Sequence, residues 1–173
     1  INPTYAELGA GIVIPGTGSA LPDRGNAFSL TPGLPNTVAP GERPFHTLIP
    51  GFVTKPTSAS KPDGTGDEPW MSFGVMGGSM QAQGHVQVIL NLLLFGMDIQ
   101  QALDAARFRH MEGPRTIVEA PVSDGARAVL KALGHEITTR GPSSFGGGQA
   151  IIKLPRGYVA RSDPRKDGHA AGY

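Results

Sequence analysis

The chain contains no cysteine, and this absence removes several kinds of chemistry together. Disulfide bonds, thiol nucleophiles and zinc–thiolate centres all require cysteine. The five histidines also lack the spacing that is typical of metal ligands. We therefore expect neither a metal nor a cofactor. The compartment stays open between the cytoplasm and the periplasm or the extracellular space.

Charge of one sign and long apolar runs are missing as well. The 15 basic and 14 acidic residues are interspersed and give a net charge of +1, so the sequence has no basic stripe for nucleic acid. No apolar run reaches the roughly 18 residues of a membrane-spanning helix, and no signal-peptide pattern stands at the start. The first residue is Ile1 rather than Met. We expect a processed subunit or a trimmed chain, with no nucleic-acid partner and no membrane span.

Glycine and proline are abundant instead, with 25 and 16 residues. They are concentrated in a long irregular segment at residues 16–46 and in a polar excursion at residues 55–69. Long loops in compact domains often carry function. Apolar segments separate these tracts, and the 173 residues suffice for one hydrophobic core. We predict a single domain over residues 1–173, with 16–46 as a substrate-side loop and 55–69 as a hairpin tip.

The apolar pattern predicts strands, then three helices with one strand between the second and the third, and then further strands. Residues 83–95 (QGHVQVILNLLLF) have apolar side chains on nearly every face, which indicates a fully buried helix. Asp98 with Gln101 forms the capping pattern of a second helix, and Ser123 caps a third. This order favours an α+β fold with antiparallel sheet. The tail that begins at Ser162 has turn composition and is expected at the surface. The predicted strands cover residues 10–14, 48–54, 70–76, 116–120, 136–139, 149–154 and 157–161.

Two adjacent glycines, Gly77 and Gly78, lie between a predicted strand and the most apolar helix, in the stretch FGVMGGSMQAQGH. Backbone N–H groups at such a junction are free, and the helix dipole adds partial positive charge. Such groups can form an oxyanion hole, which stabilises the charge that develops during acyl transfer. A tight turn explains the same residues, and the local pattern alone favours the turn.

Other polar residues are candidates for binding an anion. His46 and Thr47 can both donate hydrogen bonds to a carboxylate. Arg24 and Asn26 lie in the long loop, and the fork of an arginine matches a carboxylate or a phosphate. Residues 146–148 (GGG) are a second stretch of bare backbone, which can line a cleft but is more often a hairpin turn.

No reaction centre is visible from these residues alone. The sequence has no GxSxG elbow and no HExxH motif. The SDPR stretch at residues 162–165 is most simply a turn with a local ion pair. The residues therefore indicate a ligand cleft built from loops and backbone amides, without a nucleophile beside a base.

Six segments together resemble the γ-glutamyltransferase (γ-glutamyltranspeptidase) family, in the order of that family and from residue 9 to the end. They are GAGIVIPGTG, NAFSLTPGLPN, APGERPFHTLIP, FGVMGGSMQAQGHVQVILNLLLFGMDIQQALDAARFRH, FGGGQAI and SDPRKDGHAAGY. The resemblance implies a four-layer αββα sandwich of the N-terminal-nucleophile hydrolase type. It also implies a precursor that cuts itself into a large and a small subunit, of which this chain is most of the small one. The partner is then the large subunit, and higher oligomers remain open.

The resemblance also implies the chemistry. In this family the cut exposes a threonine, which attacks a γ-glutamyl amide such as that of glutathione and forms an acyl-enzyme. That threonine is expected upstream of Ile1, and Thr4 is not assigned its role. Gly77 and Gly78 match the glycines of the family's oxyanion hole. His46 and Thr47 stand where many members have two serines that hold the substrate α-carboxylate.

The pocket for the substrate α-ammonium departs from the family pattern. Arg24 and Ala27 stand where transpeptidases have Gln and Asp, and Tyr5 stands where they have Asn. Loss of the Asp removes the counter-charge for an ammonium group, and an unpaired buried charge is costly. We therefore expect an amidohydrolase or acylase-like member that accepts glutaryl-type groups as well as, or in place of, γ-glutamyl groups.

Two other interpretations stay open. The chain can be a catalytically inactive homologue or fragment that binds a ligand or a partner chain. A sugar- or peptide-binding domain is a third interpretation, which rests on the glycine-rich loops alone. The residue at the upstream cleavage point distinguishes the first two.

Overall fold

The computed structural model describes residues 8–172, which fall into two compact units divided between Leu48 and Ile49. The described part of the first unit is mostly irregular, as predicted for residues 16–46. It contains one short 3-10 helix, Arg24–Ala27. The predicted strand at residues 10–14 is wrong, since only Val13 forms an isolated bridge, with Ala20. The PGTG turn folds this exposed segment back on itself. Its pairing is therefore limited to the bridge between Val13 and Ala20.

The second unit contains two sheets and three helices. One sheet has the order β1-β2-β6-β7 and is antiparallel, and the other has the order β3-β4-β5 with a parallel β4-β5 pair. Strand β3 was not predicted. The strands are β1 (Gly51–Lys55), β2 (Glu68–Met76), β3 (Phe108–Glu112), β4 (Arg115–Val118), β5 (Glu136–Thr139), β6 (Gly147–Lys153) and β7 (Tyr158–Ser162). The helices are α1 (Met80–Leu93), α2 (Ile99–Asp104) and α3 (Asp124–Ala132), and a 3-10 helix covers Pro142–Phe145.

The helix starts follow the predicted capping chemistry. The Asp98 carboxylate accepts a hydrogen bond from the Gln101 amide N–H at 2.9 Å, and the Gln101 side chain accepts one from the Asp98 N–H at 3.0 Å. This is a complete capping box. The Ser123 hydroxyl accepts from the Ala126 N–H at 3.2 Å. Both predicted caps are confirmed.

The core lies between β2 and helix α1. Alternate residues of β2, namely Met71, Phe73 and Val75, are buried and face the helix side. Helix α1 approaches β2 closely at Gly84, where an added Cβ would lie 2.6 Å from a methyl carbon of Val75. This close packing holds the first turns of α1 against the end of β2.

Helix α1 is less buried than predicted. Its outer face leaves Val86, Leu90 and Leu93 exposed, at 57%, 42% and 60% of their full accessible area. The helix packs on the sheet through one face only, so apolar residues on its other face have no cover within residues 49–172 of its own unit. Its apolar composition was misread as burial on all sides. Among the helices of residues 8–172, none combines the length and the apolar character that a membrane span requires.

Candidate functional site

The turn between β2 and α1 contains both predicted glycines in conformations that other residues rarely adopt. Gly77 has φ of 133° and Gly78 has φ of 59°. The Gly77 carbonyl accepts a hydrogen bond from the Met80 N–H at 3.1 Å, and the Gly78 carbonyl accepts one from the Gln81 N–H at 3.0 Å. The carbonyls of the turn are thus used to start helix α1.

The N–H groups of the same two residues are not used within the described chain. Among residues 8–172 no hydrogen bond from the Gly77 or Gly78 amide is formed. Gly78 is exposed and Gly77 is half-buried. Both amides lie at the N-terminus of a 14-residue helix, where the dipole contributes partial positive charge. The turn therefore offers two backbone donors to a negatively charged oxygen.

The glycine stretch at residues 146–148 packs against this turn. A Cβ on Gly77 would lie 2.9 Å from the Gly146 Cα, and a Cβ on Gly146 would overlap the Met76 carbonyl oxygen. Gly147 and Gly148 already belong to β6, where they pair with Met76 and Val75. The hairpin-turn interpretation is therefore wrong, because these glycines allow two backbones to pack together.

A buried network of four charged side chains lies behind the glycine stretch. Arg107 pairs with Asp163 at 2.6 Å, and Arg165 pairs with Glu119 at 2.5 Å and with Asp163 at 3.1 Å. At most 6% of any of these side chains is exposed. The SDPR stretch thus does contain an ion pair, but its predicted place at the surface is wrong. The other two members, Arg107 and Glu119, were not recognised, because isolated charged residues usually lie in solvent.

The pKa values of Asp163, Arg107 and Arg165 are shifted within this network. Burial by itself would raise the pKa of Asp163, but the N–H groups of Arg165 and Gly148 and the charge of Arg107 outweigh it and hold that pKa below its ordinary value. Burial lowers the pKa of Arg107, in spite of Asp163. Burial acts in the same direction on Arg165, but its bonds to Glu119 and Asp163 prevail and raise its pKa. The opposite charges of the network compensate one another for the cost of burial, which unpaired ions would not.

This network holds both ends of the segment on which Gly77 packs. Arg107 Nη1 donates to the Phe145 carbonyl at 3.1 Å, and the Gly148 N–H donates to Asp163 Oδ2 at 2.8 Å. The position of Gly146 between these anchors is therefore fixed by buried charge-assisted hydrogen bonds.

A second arginine reaches the turn from the neighbouring sheet. Arg109 of β3 donates a hydrogen bond from Nη2 to the Ser79 hydroxyl oxygen at 2.5 Å and one from Nη1 to the Ser144 carbonyl at 3.3 Å. Arg109 and Ser144 also line a cleft of about 490 Å³ beside β3, β4 and β5. Arg109 was not singled out from the sequence.

Strand β3 is attached to α1 by two glutamine side chains. Gln83 donates to the His110 carbonyl at 3.0 Å and accepts from the His110 N–H at 2.8 Å. Gln87 makes the same pair of bonds with Phe108, at 2.9 and 3.0 Å. The two amides, one helical turn apart, thus pair with the free edge of β3 as a neighbouring strand would.

The remaining predicted site residues lie in the first unit. Arg24 and Asn26 share the 3-10 helix Arg24–Ala27, and the Asn26 side chain donates to an Asp23 carboxylate oxygen at 3.5 Å. His46 is exposed, and its Nδ1 lies 3.0 Å from the Leu48 carbonyl oxygen.

Thr47 is half-buried, and Tyr5 lies outside the described residues. The binding roles of Arg24, Asn26, His46, Thr47 and Tyr5 remain predictions. The single-domain organisation also remains a prediction. No cluster of His, Asp and Glu that suits a metal ion occurs in the part of the chain that the structure describes.

Comparison with known proteins gives one family over the whole chain. A sequence description of the gamma-glutamyltranspeptidases matches residues 1–173. The oxamate amidohydrolase proenzyme of Klebsiella pneumoniae is 33% identical over 100% of this chain, which corresponds to 32% of that protein. The chain thus spans about a third of the length of the curated relatives that it matches.

Solved structures confirm the fold class. A cephalosporin acylase from Bacillus halodurans is 41% identical with a TM-score of 0.83, and the match covers 98% of this chain and 30% of that one. The T380A mutant of the Helicobacter pylori γ-glutamyltranspeptidase is 26% identical with a TM-score of 0.77. In that case the match covers 96% of this chain and 91% of the other. The predicted N-terminal-nucleophile hydrolase fold, with mixed helices and sheets, is therefore correct.

Proposed function

The chain belongs to the γ-glutamyltranspeptidase family, and from this membership we propose that it is the small subunit of an N-terminal-nucleophile amidohydrolase. The lengths of the matched proteins support a subunit. The chain matches nearly the whole of one chain of the Helicobacter enzyme, but only about a third of the Klebsiella proenzyme. The proposed partner is the large subunit of the same precursor. Exposed apolar side chains on the outer face of α1 provide surface that such a partner can cover.

The proposed reaction is acyl transfer from an amide through a threonine that precedes Ile1 in the precursor. The threonine hydroxyl oxygen attacks the amide carbonyl carbon, and its α-amine takes the hydroxyl proton. The carbonyl oxygen becomes an anion in the tetrahedral intermediate. When the C–N bond breaks, the leaving amine takes that proton. Water, or an acceptor amine, then attacks the acyl-threonine ester and releases the acid or a new amide.

The turn at Gly77 and Gly78 is the observation that carries this proposal. Its two amide N–H groups have no acceptor among residues 8–172 and lie at a helix N-terminus. Backbone donors of this kind stabilise an oxyanion without reorganisation during the reaction. Removal of a single such donor in other acyl-transfer enzymes lowers kcat by roughly 100- to 1,000-fold. Two donors therefore provide a large part of the expected catalysis.

We further propose that the acyl group needs no α-ammonium. Arg24 and Ala27 replace the polar and acidic residues that grip an ammonium group in transpeptidases of this family, and Arg24 adds a positive charge. The names of the relatives point the same way: one acts on oxamate, which has a carboxylate and no ammonium group, and another is a cephalosporin acylase. Glutaryl and related acids with one distal carboxylate fit this pattern.

The complete precursor tests both parts of the proposal. We expect mass spectrometry to show cleavage in front of a threonine upstream of Ile1, and the heterodimer to hydrolyse glutaryl p-nitroanilide with a kcat/KM at least equal to that for γ-glutamyl p-nitroanilide. A strong γ-glutamyl preference contradicts the acyl specificity alone. An uncleaved precursor without amidase activity contradicts the enzyme and favours the inactive homologue.

A further inference from the structure

Arg109 lies in a strand whose position is fixed relative to the glycine turn. Its neighbours in the chain, Phe108 and His110, are each held to α1 by two hydrogen bonds, from Gln87 and Gln83. Helix α1 begins two residues after Gly78. The backbone at residue 109 is therefore anchored to the same helix whose start contains the unused amides.

Ser79 precedes helix α1 but does not cap it with its side chain. A hydroxyl at this position normally accepts a hydrogen bond from an amide of the first helical turn. Ser79 has helical dihedral angles instead, with φ of −66° and ψ of −10°, and makes no such bond. Its oxygen accepts the short hydrogen bond from Arg109. The capping interaction has thus been replaced by an interaction with a cation.

The same guanidinium connects the two backbones that meet at the turn. Ser79 directly follows Gly78, and Ser144, whose carbonyl Arg109 also binds, lies two residues before Gly146. Gly146 is the residue on which Gly77 packs. Both known partners of Arg109 are neutral, so its charge is not cancelled by a carboxylate in direct contact within residues 8–172.

We propose that Arg109 is a positioning residue for the oxyanion hole, which it serves by clamping Ser79 against the segment that supports Gly77. This inference rests on the proposed function of the turn. The clamp holds the N–H groups of Gly77 and Gly78 in the geometry that the tetrahedral intermediate requires. The positive charge of Arg109, whose guanidinium binds the residue that follows Gly78, also favours the anion. Because the oxyanion exists only after attack, the contribution is to kcat rather than to substrate binding.

The test compares Arg109→Met with Arg115→Met in the complete heterodimer. Arg115 lines the same cleft, but its side chain is 61% exposed and pairs with Glu112, away from the turn. We expect Arg109→Met to lower kcat by about tenfold or more with KM within about twofold, since small displacements of catalytic groups have effects of this size. Arg115→Met should leave both constants unchanged. Equal losses in the two variants, or a loss confined to KM, would overturn the proposal.

A double-mutant cycle with Ser79 separates the clamp from general damage. Ser79→Ala removes the acceptor and should lower kcat by a similar factor. If the two residues act through their mutual hydrogen bond, Arg109→Met combined with Ser79→Ala should be no slower than Arg109→Met alone. Arg109→Lys restores the charge without the two-pronged bridge and should recover part of kcat. Multiplicative losses in the double variant would contradict a clamp.

Hydrogen exchange gives a readout that does not depend on activity. The amides of Met80 and Gln81 donate to the two glycine carbonyls of the turn. Arg109→Met should make these amides exchange at least several-fold faster than in Arg115→Met, because the turn loses its clamp. Unchanged exchange would refute the clamp even if the heterodimer is an active amidase. Faster exchange in a protein without amidase activity would instead refute the proposed function and keep the clamp.

Discussion

Gly77 and Gly146 pack so closely that a methyl group on Gly77 would come within 2.9 Å of the Gly146 Cα. Gly78, the next residue, has open space where its Cβ would be. The two glycines of the turn are thus required for different reasons: Gly77 by both its surroundings and its backbone angle, Gly78 by its backbone angle alone.

This difference predicts unequal effects of alanine at the two positions. Gly78→Ala should lower the free energy of unfolding by about 1 kcal/mol, the cost of a left-handed conformation for an L-residue. Gly77→Ala should cost about 3 kcal/mol, since steric overlap adds to strain. Chemical denaturation of the complete protein measures both. Equal losses of stability would show that the backbone at Gly146 can move away from an added Cβ without a cost in free energy. Gly74→Ala, where nothing lies within 4 Å of an added Cβ and φ is ordinary, is the matched control.

The buried charge network predicts a large effect of Asp163→Asn. The substitution keeps the shape but leaves Arg107 and Arg165 with less compensation for their burial. We expect the free energy of unfolding to fall by about 3 kcal/mol or more. Asp167→Asn, at an exposed position four residues later, should change it by less than about 0.5 kcal/mol. A loss as small as that of Asp167→Asn would mean that the arginines need no buried counter-charge.

Asp163 also predicts how stability depends on pH. Its pKa in the folded chain lies below the ordinary value of 3.8, so folding favours the carboxylate. The resulting stabilisation is complete above the ordinary value and is lost as the pH falls towards the lower folded pKa. Denaturation curves of the complete protein between pH 6 and pH 3 should therefore show falling stability at the acid end. Asp163→Asn should show a shallower fall, and an identical slope would contradict the role of this carboxylate.

The glutamine pairs predict a graded effect along α1. Gln87 is buried and Gln83 is half-buried. Gln87→Met would leave the Phe108 N–H and C=O without the part-buried bonds that Gln87 makes to them, and an unsatisfied buried group costs about 1–3 kcal/mol. Gln83→Met should cost less, because water can reach the His110 backbone. Thermal unfolding measures both losses of stability, and Gln87→Met should lower the melting temperature more than Gln83→Met. A smaller loss at position 87 would contradict this explanation.

Local chemistry could be predicted from the sequence, whereas long-range pairing could not. The caps at Asp98 and Ser123 follow from short patterns, and the glycine pair marks the turn between strand and helix. The clamp at Arg109 depends on β3 lying beside α1, which no local pattern encodes. The burial of Asp163 likewise depends on Arg107, which is 56 residues away in the chain. The functional interpretation of the glycines came from the family resemblance, since the local pattern alone favoured a plain turn.

The charge of the 3-10 helix Arg24–Ala27 is proposed to set which acyl groups the enzyme accepts. If Arg24 and Ala27 disfavour a substrate ammonium, then Arg24→Gln combined with Ala27→Asp replaces a positive charge by a negative one. The ratio of kcat/KM for γ-glutamyl over glutaryl p-nitroanilide should then rise by about tenfold or more, which corresponds to about 1.4 kcal/mol in the transition state.

A control variant tests whether any change in net charge has this effect. Arg43→Gln removes a positive charge from an exposed position of the same unit and should leave the ratio within about twofold. If the ratio does not move while the control also stays constant, the acyl preference is set outside this helix, and the proposed basis for amine-free substrates is wrong.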